Sequence, residues 1–245
     1  MKKDTEKRLS QKFWIDQMNV ETSLKFMLEN QKEAFFAIKE SLKSIKLSVN
    51  KITKKLHNSN NSRLIYVGAG TSARIAVQDG AELLPTFNWP KNRVKFVIAG
   101  GTQALVEAKE NAEDDNKNVM EQLTKINLNS NDCVIAISAS GKTLFTVEAL
   151  NEAKKRNCLT IGISNNSNTP ILFNSDCPIL LNTGSEAVAG STRLKAGTAQ
   201  KICLNLISTQ VMTNLGKIKN GMMIFMKPRN EKLRIRKRLI EKTLE

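Results

Sequence analysis

Short apolar runs that end in small residues recur through the middle of the chain. Residues Arg63-Leu-Ile-Tyr-Val67 run into Gly68, and Val94-Lys-Phe-Val-Ile98 into Ala99-Gly-Gly101. Asp132-Cys-Val-Ile-Ala-Ile137 runs into Ser138-Ala-Ser-Gly141, and Cys158-Leu-Thr-Ile-Gly-Ile163 into Ser164-Asn-Asn-Ser167. A fifth run, Pro178-Ile-Leu-Leu181, ends in Asn182-Thr-Gly184. Continuous apolar runs of this length mark strands buried on both faces. Residues 72–84, 103–111 and 143–156, which lie between the runs, carry helical spacing, as does the apolar-rich stretch 194–215. Strand, small-residue turn and helix in alternation predict an α/β fold with an open, mostly parallel sheet covered by helices on both faces.

The first 57 residues read differently. Apolar clusters at Phe13, Ile15 and Met18, and then Leu42, Ile45, Val49, Ile52 and Leu56 at steps of three or four, predict a helical N-terminal segment. Asn58-Ser-Asn-Asn-Ser62 is a loop. The expected organisation is therefore N-terminal helices over 1–57 packed on a core of 58–216, with a helical tail of the same domain over 217–245. At 245 residues and 40% hydrophobic, the chain suits one large core better than two small ones. No apolar run reaches about 18 residues, and the charged start lacks the apolar stretch of a signal peptide, so a soluble cytoplasmic protein is expected.

The net charge of +15 raises the question of nucleic acid. Residues 1–60 hold 13 Lys/Arg against 7 Asp/Glu, residues 217–245 hold 10 against 3, and the middle holds 15 against 13. The surplus sits in the terminal segments, away from the turns, and at 5% aromatic the chain is poor in stacking platforms. A specific nucleic-acid partner is not expected, nor a membrane. The four cysteines form no CxxC pair and His57 is the single histidine, so the ligand set of a zinc site is lacking. Neither a metal nor another cofactor is expected, and the cysteines read as small buried residues.

Chemistry concentrates in three turns. Gly68-Ala-Gly-Thr-Ser72 joins a strand to a helix; glycines permit close backbone approach, and the N–H groups of a helix start attract an anion. It lacks the GK[ST] of a P-loop and the third glycine of a dinucleotide fingerprint. Ser138-Ala-Ser-Gly-Lys-Thr143 places three hydroxyls within six residues, where they can ring a phosphate or cap the next helix. In Gly190-Ser-Thr-Arg-Leu-Lys195, Ser191 and Thr192 can cap a helix, with Arg193 and Lys195 as nearby cations. Two acidic regions stand out. Glu82 has apolar neighbours that would raise its pKa if it were buried, and 110–115 crowds four carboxyl groups.

Five segments occur in one order at compatible spacing: residues 65–74, Glu82-Leu-Leu-Pro-Thr-Phe87, Ile98-Ala-Gly-Gly101, Glu110-Asn-Ala-Glu-Asp-Asp115 and the twelve-residue run 190–201. With Thr5-Glu-Lys-Arg8 and residues 227–234 towards the ends, they resemble the N-acetylmuramic acid 6-phosphate etherases of the sugar isomerase (SIS) domain superfamily. The resemblance implies a three-layer sandwich and a homodimer with its site near the subunit interface. It implies cleavage of the lactyl ether of N-acetylmuramic acid 6-phosphate to N-acetylglucosamine 6-phosphate and lactate, as in the recycling of cell-wall amino sugars. Gly70, Thr71, Ser72, Arg74, Ser138, Ser140, Gly141, Thr143, Ser191, Thr192 and Lys195 would hold the substrate. Glu82 matches the family's proton donor, and the second acid falls within 110–115, with Glu113 preferred to Glu110.

The chain departs from the family pattern at Ala73, in place of a glycine, and at Leu83-Leu84, in place of Cys-Pro. The sequence stops at Glu245, so the small C-terminal helical extension common in the family is expected to be absent. The alternatives are a non-catalytic phosphosugar-binding regulatory protein of the same superfamily and a phosphosugar isomerase.

Overall fold

The computed structural model describes residues 4–107, 109, 112–226, 231, 234, 235, 237 and 238. Three single 3-10 turns lead into α1 (Val20–Asn58), whose N-cap Asn19 accepts the N–H of Thr22. Then follow β1 (Leu64–Gly68), α2 (Gly70–Phe87), β2 (Val94–Ile98), α3 (Asn116–Lys125), β3 (Cys133–Ser138) and α4 (Leu144–Lys155). The chain continues through β4 (Leu159–Ser164), α5 (Pro170–Asn174), β5 (Cys177–Leu180) and α6 (Lys195–Asn214) to a hairpin of β6 (Ile218–Lys219) and β7 (Met222–Met223).

The five long strands form one parallel sheet in the order β2-β1-β3-β4-β5. Alternate residues serve opposite faces. Leu64, Tyr66, Ile135 and Ile137 join the core with α1, α2 and α6, whereas Ile65, Val67, Val134 and Ala136 join the core with α3, α4 and α5. This is the expected three-layer α/β arrangement.

Helix α1 buries one stripe: Ala34, Ala37, Ile38, Ser41, Ile45, Ser48, Val49, Ile52 and Leu56. It packs mainly on α6, and the Ser41 hydroxyl also donates to the carbonyl of Leu180 beyond its own turn. Between residues 20 and 33 α1 has no buried residue; Val20, Leu24 and Leu28 there, and Phe35 just beyond, are 58 to 76% exposed.

All four cysteines are free and buried, and burial pushes Cys133 and Cys158 up to about 12, which keeps them as inert thiols. The expected tail begins as the β6–β7 hairpin rather than a helix, because Gly216 and Gly221, both at positive φ, and Asn220 turn the chain back on itself. Positions 231, 234, 235, 237 and 238 are helical, and the remainder of 227–245 lies outside the described residues. The stretch 103–111 contains a 3-10 turn, Thr102–Leu105, rather than a long helix. Among the described residues, no helix is long and apolar enough to cross a membrane.

Candidate functional site

The strand order decides where a ligand can sit. The chain leaves β1 for β2 on one side and later returns to β3 on the other, so the connections after β1 and β3 diverge at the carboxyl ends of neighbouring strands. That divergence opens a crevice. A cavity of about 470 Å³ lies there, walled by Ala69–Ser72 and Arg74 after β1, Ser138–Ser140 and Thr143 after β3, Thr192 before α6, and Glu107, Lys109 and Glu113 after β2.

The turn after β3 is the most specialised part. Gly141 sits at φ +65°, and a Cβ there would lie 2.5 Å from the Ser164 hydroxyl and also overlap Thr169. Only glycine lets the turn fold this tightly. The Gly141 N–H donates to the Ser138 hydroxyl at 3.1 Å. Ser138 Oγ then lies 3.2 Å from Ser140 Oγ and 3.0 Å from Thr143 Oγ1, with 3.5 Å between the last two. Thr143 occupies the N-cap of α4 but makes no side-chain capping bond. The hydroxyls thus bond to one another, and Thr143 does not cap α4. Three hydroxyls that bond to one another can each redirect a hydrogen to an anion.

The α2 start forms the facing wall. Ala69 and Gly70 place the helix N-terminus at the cavity with no side-chain cap, which leaves the positive end of the helix dipole for a ligand. Gly70 is at φ +53°, and a Cβ there would stand 3.4 Å from a Glu113 carboxylate oxygen, so this carboxylate rests beside the cradle. Arg74 lines the cavity, but its Nε and Nη2 donate to the carbonyls of Leu105 and Ala104 at 2.9 and 3.0 Å. It fastens the wall after β2 to α2.

Glu82 is elsewhere. It is exposed on α2, on the same face as Arg74 but two turns further along, and about 18 Å of helix separates it from Gly70. It is not buried, and it does not line the cavity of its own chain. Glu110 lies outside the described residues.

The third turn is built differently from its expected form. Glu186, fully buried, caps α6 by accepting the N–H groups of Lys195 and Ala196 at 3.2 and 2.9 Å, while Ser191 and Thr192 make no such bond. Burial raises the Glu186 carboxyl from its ordinary range, against the pull of those two N–H groups. Lys195 is itself buried, and desolvation lowers its pKa against the opposing charges of Glu186 and Glu33. Neither Lys195 nor Ser191 lines the cavity, and Gly141 shapes the turn from behind. Gly70, Thr71, Ser72, Arg74, Ser138, Ser140, Thr143, Thr192 and Glu113 do come together there.

Glu6, Glu107 and Lys109 also line the cavity. Glu6 reaches it because Thr5 is tied down by contacts spanning some 160 residues, which periodicity cannot reveal; the resemblance through residues 5–8 was the one signal. Among the described residues, no group of three His, Cys, Asp or Glu side chains is placed to hold a metal ion.

A family model described as the glucokinase regulatory protein N-terminal SIS domain matches residues 45–154. A protein of Lactococcus lactis subsp. lactis named N-acetylmuramic acid 6-phosphate etherase is 42% identical over 229 residues, covering 94% of this chain and 76% of its own. A protein of Deinococcus radiodurans with the same name is 39% identical over 224 residues, covering 91% of this chain and 73% of its own. The chain belongs to the N-acetylmuramic acid 6-phosphate etherase family.

The fold is shared more widely. A solved protein of Escherichia coli CFT073 superposes with a TM-score of 0.58 at 20% identity, over 83% of this chain and 96% of that one. Within the etherase family pattern, the Ala73 departure is a small buried side chain against Ile98 and Ala104, and Leu83, beside Glu82, is buried in the α2 core face. Both departures therefore concern packing, and neither side chain lines the cavity.

Proposed function

We propose that this cavity binds N-acetylmuramic acid 6-phosphate and cleaves its lactyl ether, giving N-acetylglucosamine 6-phosphate and lactate in cell-wall amino sugar recycling. Family membership makes the protein a carbon–oxygen lyase acting on a phosphosugar. The observation that carries the reading is the hydroxyl ring of Ser138, Ser140 and Thr143 facing the uncapped start of α2. Such an arrangement suits a phosphate dianion, with Thr71 and Ser72 adding hydroxyls from the opposite wall.

With the phosphate anchored there, the open-chain sugar extends towards Glu113. Its C1 aldehyde acidifies the C2 proton. A carboxylate removes that proton, lactate departs from C3 with a proton from an acid, and water adds to the unsaturated aldehyde. One carboxyl group must act as base and another as acid. Glu113 stands beside the cradle, against Gly70. Glu82 serves from a second copy of the chain in a homodimer, working in the cytoplasm. Two features support the second copy: Glu82 stands about 18 Å along α2 from its own cradle, and the apolar side chains Val20, Leu24 and Leu28 at the start of α1 have no cover in one chain.

Lactate release from N-acetylmuramic acid 6-phosphate by the purified protein tests the reaction. Phosphosugar binding without lactate would instead favour the regulatory reading. The shared site is tested by mixing two inactive variants, Glu82→Gln and Glu113→Gln. Exchange between dimers should restore roughly a quarter of wild-type rate, because half the dimers are mixed and each of those has one complete site. No recovery in demonstrably mixed dimers would place both acids in the same chain.

A further inference from the structure

We propose that Glu6 opens the sugar ring for this reaction, by taking the proton of the C1 hydroxyl. The proposal rests on the etherase reading. Elimination needs an aldehyde at C1, and the ring form of the sugar has none, so a group in the cavity must handle the anomeric proton. A histidine would be the ordinary choice. The only one, His57, is in the last turn of α1, which leads into the amino end of β1 and so lies at the opposite end of the strands from the cavity. The base must come from the wall itself.

Glu6 is placed for this. A cavity carboxylate on the N-terminal segment would be of little use if that segment were loose, but Thr5 is fully buried and fastened three times. Its N–H donates to Asn166 Oδ1 at 3.2 Å, its hydroxyl accepts from Asn166 Nδ2 at 2.8 Å, and its carbonyl accepts from Gly190 N–H at 3.0 Å. Asn166 also donates to the carbonyl of Ala139, next to the hydroxyl ring, so the tether and the cradle share one anchor. Gly190 yields room. At φ +76°, it leaves open a space in which a Cβ would lie 2.8 Å from a Glu6 carboxylate oxygen. Glu6 thus enters beside Gly190, while Glu113 enters beside Gly70 on another wall. The two carboxylates serve one ligand without sharing a position. The Arg74 guanidinium is no base, Lys109 Nζ is engaged with Gln103 Oε1 at 2.8 Å, and the third cavity carboxylate, Glu107, belongs to the wall after β2, the side that already supplies Glu113.

In the step, the Glu6 carboxylate accepts the O1 proton, O1–C1 becomes the carbonyl, the C1–O5 bond breaks and O5 takes a proton from water. Glu6 then returns its proton to solvent, so no co-reactant is consumed.

Ring opening and closing interconverts anomers, and the probe is therefore N-acetylglucosamine 6-phosphate, followed by exchange NMR. Wild-type protein should accelerate anomer interconversion. Glu6→Gln should lose at least about tenfold of that acceleration, with its affinity for the same compound and its melting temperature unchanged, and Glu6→Asp should recover part of it. Wild-type anomerisation by Glu6→Gln, absence of acceleration by the wild type, or loss of binding together with rate would each overturn the proposal. Lactate release by the wild type judges the etherase reading separately, since it is measured on a different compound and without any substitution.

Discussion

The two ends of the same five strands are built on opposite rules. At the amino ends, Arg63, Asp132 and Arg93 are answered by protein. Arg63 holds Asp132 in a two-point ion pair at 2.7 and 2.6 Å and also donates to the carbonyls of Ile126 and Asn127. Arg93 donates to the carbonyls of Leu56, Ser59 and Ser62 and stacks on Trp89. At the carboxyl ends, hydroxyls bond to one another, two helix starts go without side-chain caps, and carboxylates line open space. One end closes the α1–β1 and α3–β3 joints, and the other holds groups whose partners a ligand must supply. The contrast predicts that substitutions at the first end cost stability and at the second cost activity.

The largest effect tests the first half of that contrast. The Asp132 side chain has no exposure, and Arg63 keeps only 16% of its own. Asp132→Ala leaves a largely buried guanidinium without its partner, which should cost about 3 kcal/mol. In a chain of this size the melting temperature should fall by roughly 6–12 °C, while the KM for phosphosugar at a permissive temperature stays put. A raised KM with an unchanged melting temperature would erase the distinction between the two ends.

Next comes Glu113→Gln. As the proposed acid–base group it should cost at least about 100-fold in lactate release, with the melting temperature held within a degree or two because the side chain is exposed beside Gly70. A comparable loss of stability would make Glu113 a structural residue of the wall after β2.

These regions also differed in how far the sequence disclosed them. The strands were legible because burial on both faces leaves an unbroken apolar run; the predicted 94–98 is the observed β2, and the other four are within a residue or so of their places. Helices α3 and α5 were not foreseen, being short, and α3 is also polar on most of its surface. The hydroxyl ring was half legible. Three hydroxyls in six residues showed in the letters, but the choice between cap and ring depends on the φ of Gly141, forced by Ser164 and Thr169 from the next strand and helix. Glu82 shows the opposite limit. Its motif was plain, yet its distance from the cradle follows from the length of α2, and only three dimensions set that length against the cradle.

The finest test lies within the ring itself. Ser138 is 3% exposed, touches both other hydroxyls and accepts the Gly141 N–H. Ser140 is half-buried, is further from Thr143, and receives the Lys142 N–H at the rim. A hydrogen bond to a charged group is worth about 1.5–3 kcal/mol. Ser138→Ala should therefore raise the KM for phosphosugar roughly 10- to 100-fold, and Ser140→Ala only about threefold to tenfold, both with kcat little changed because the phosphate is remote from the bonds that break. Equal effects of the two substitutions would mean that the anion sits symmetrically over the ring, and a larger effect at Ser140 would move it outward to the rim, closer to the solvent edge than to the start of α2.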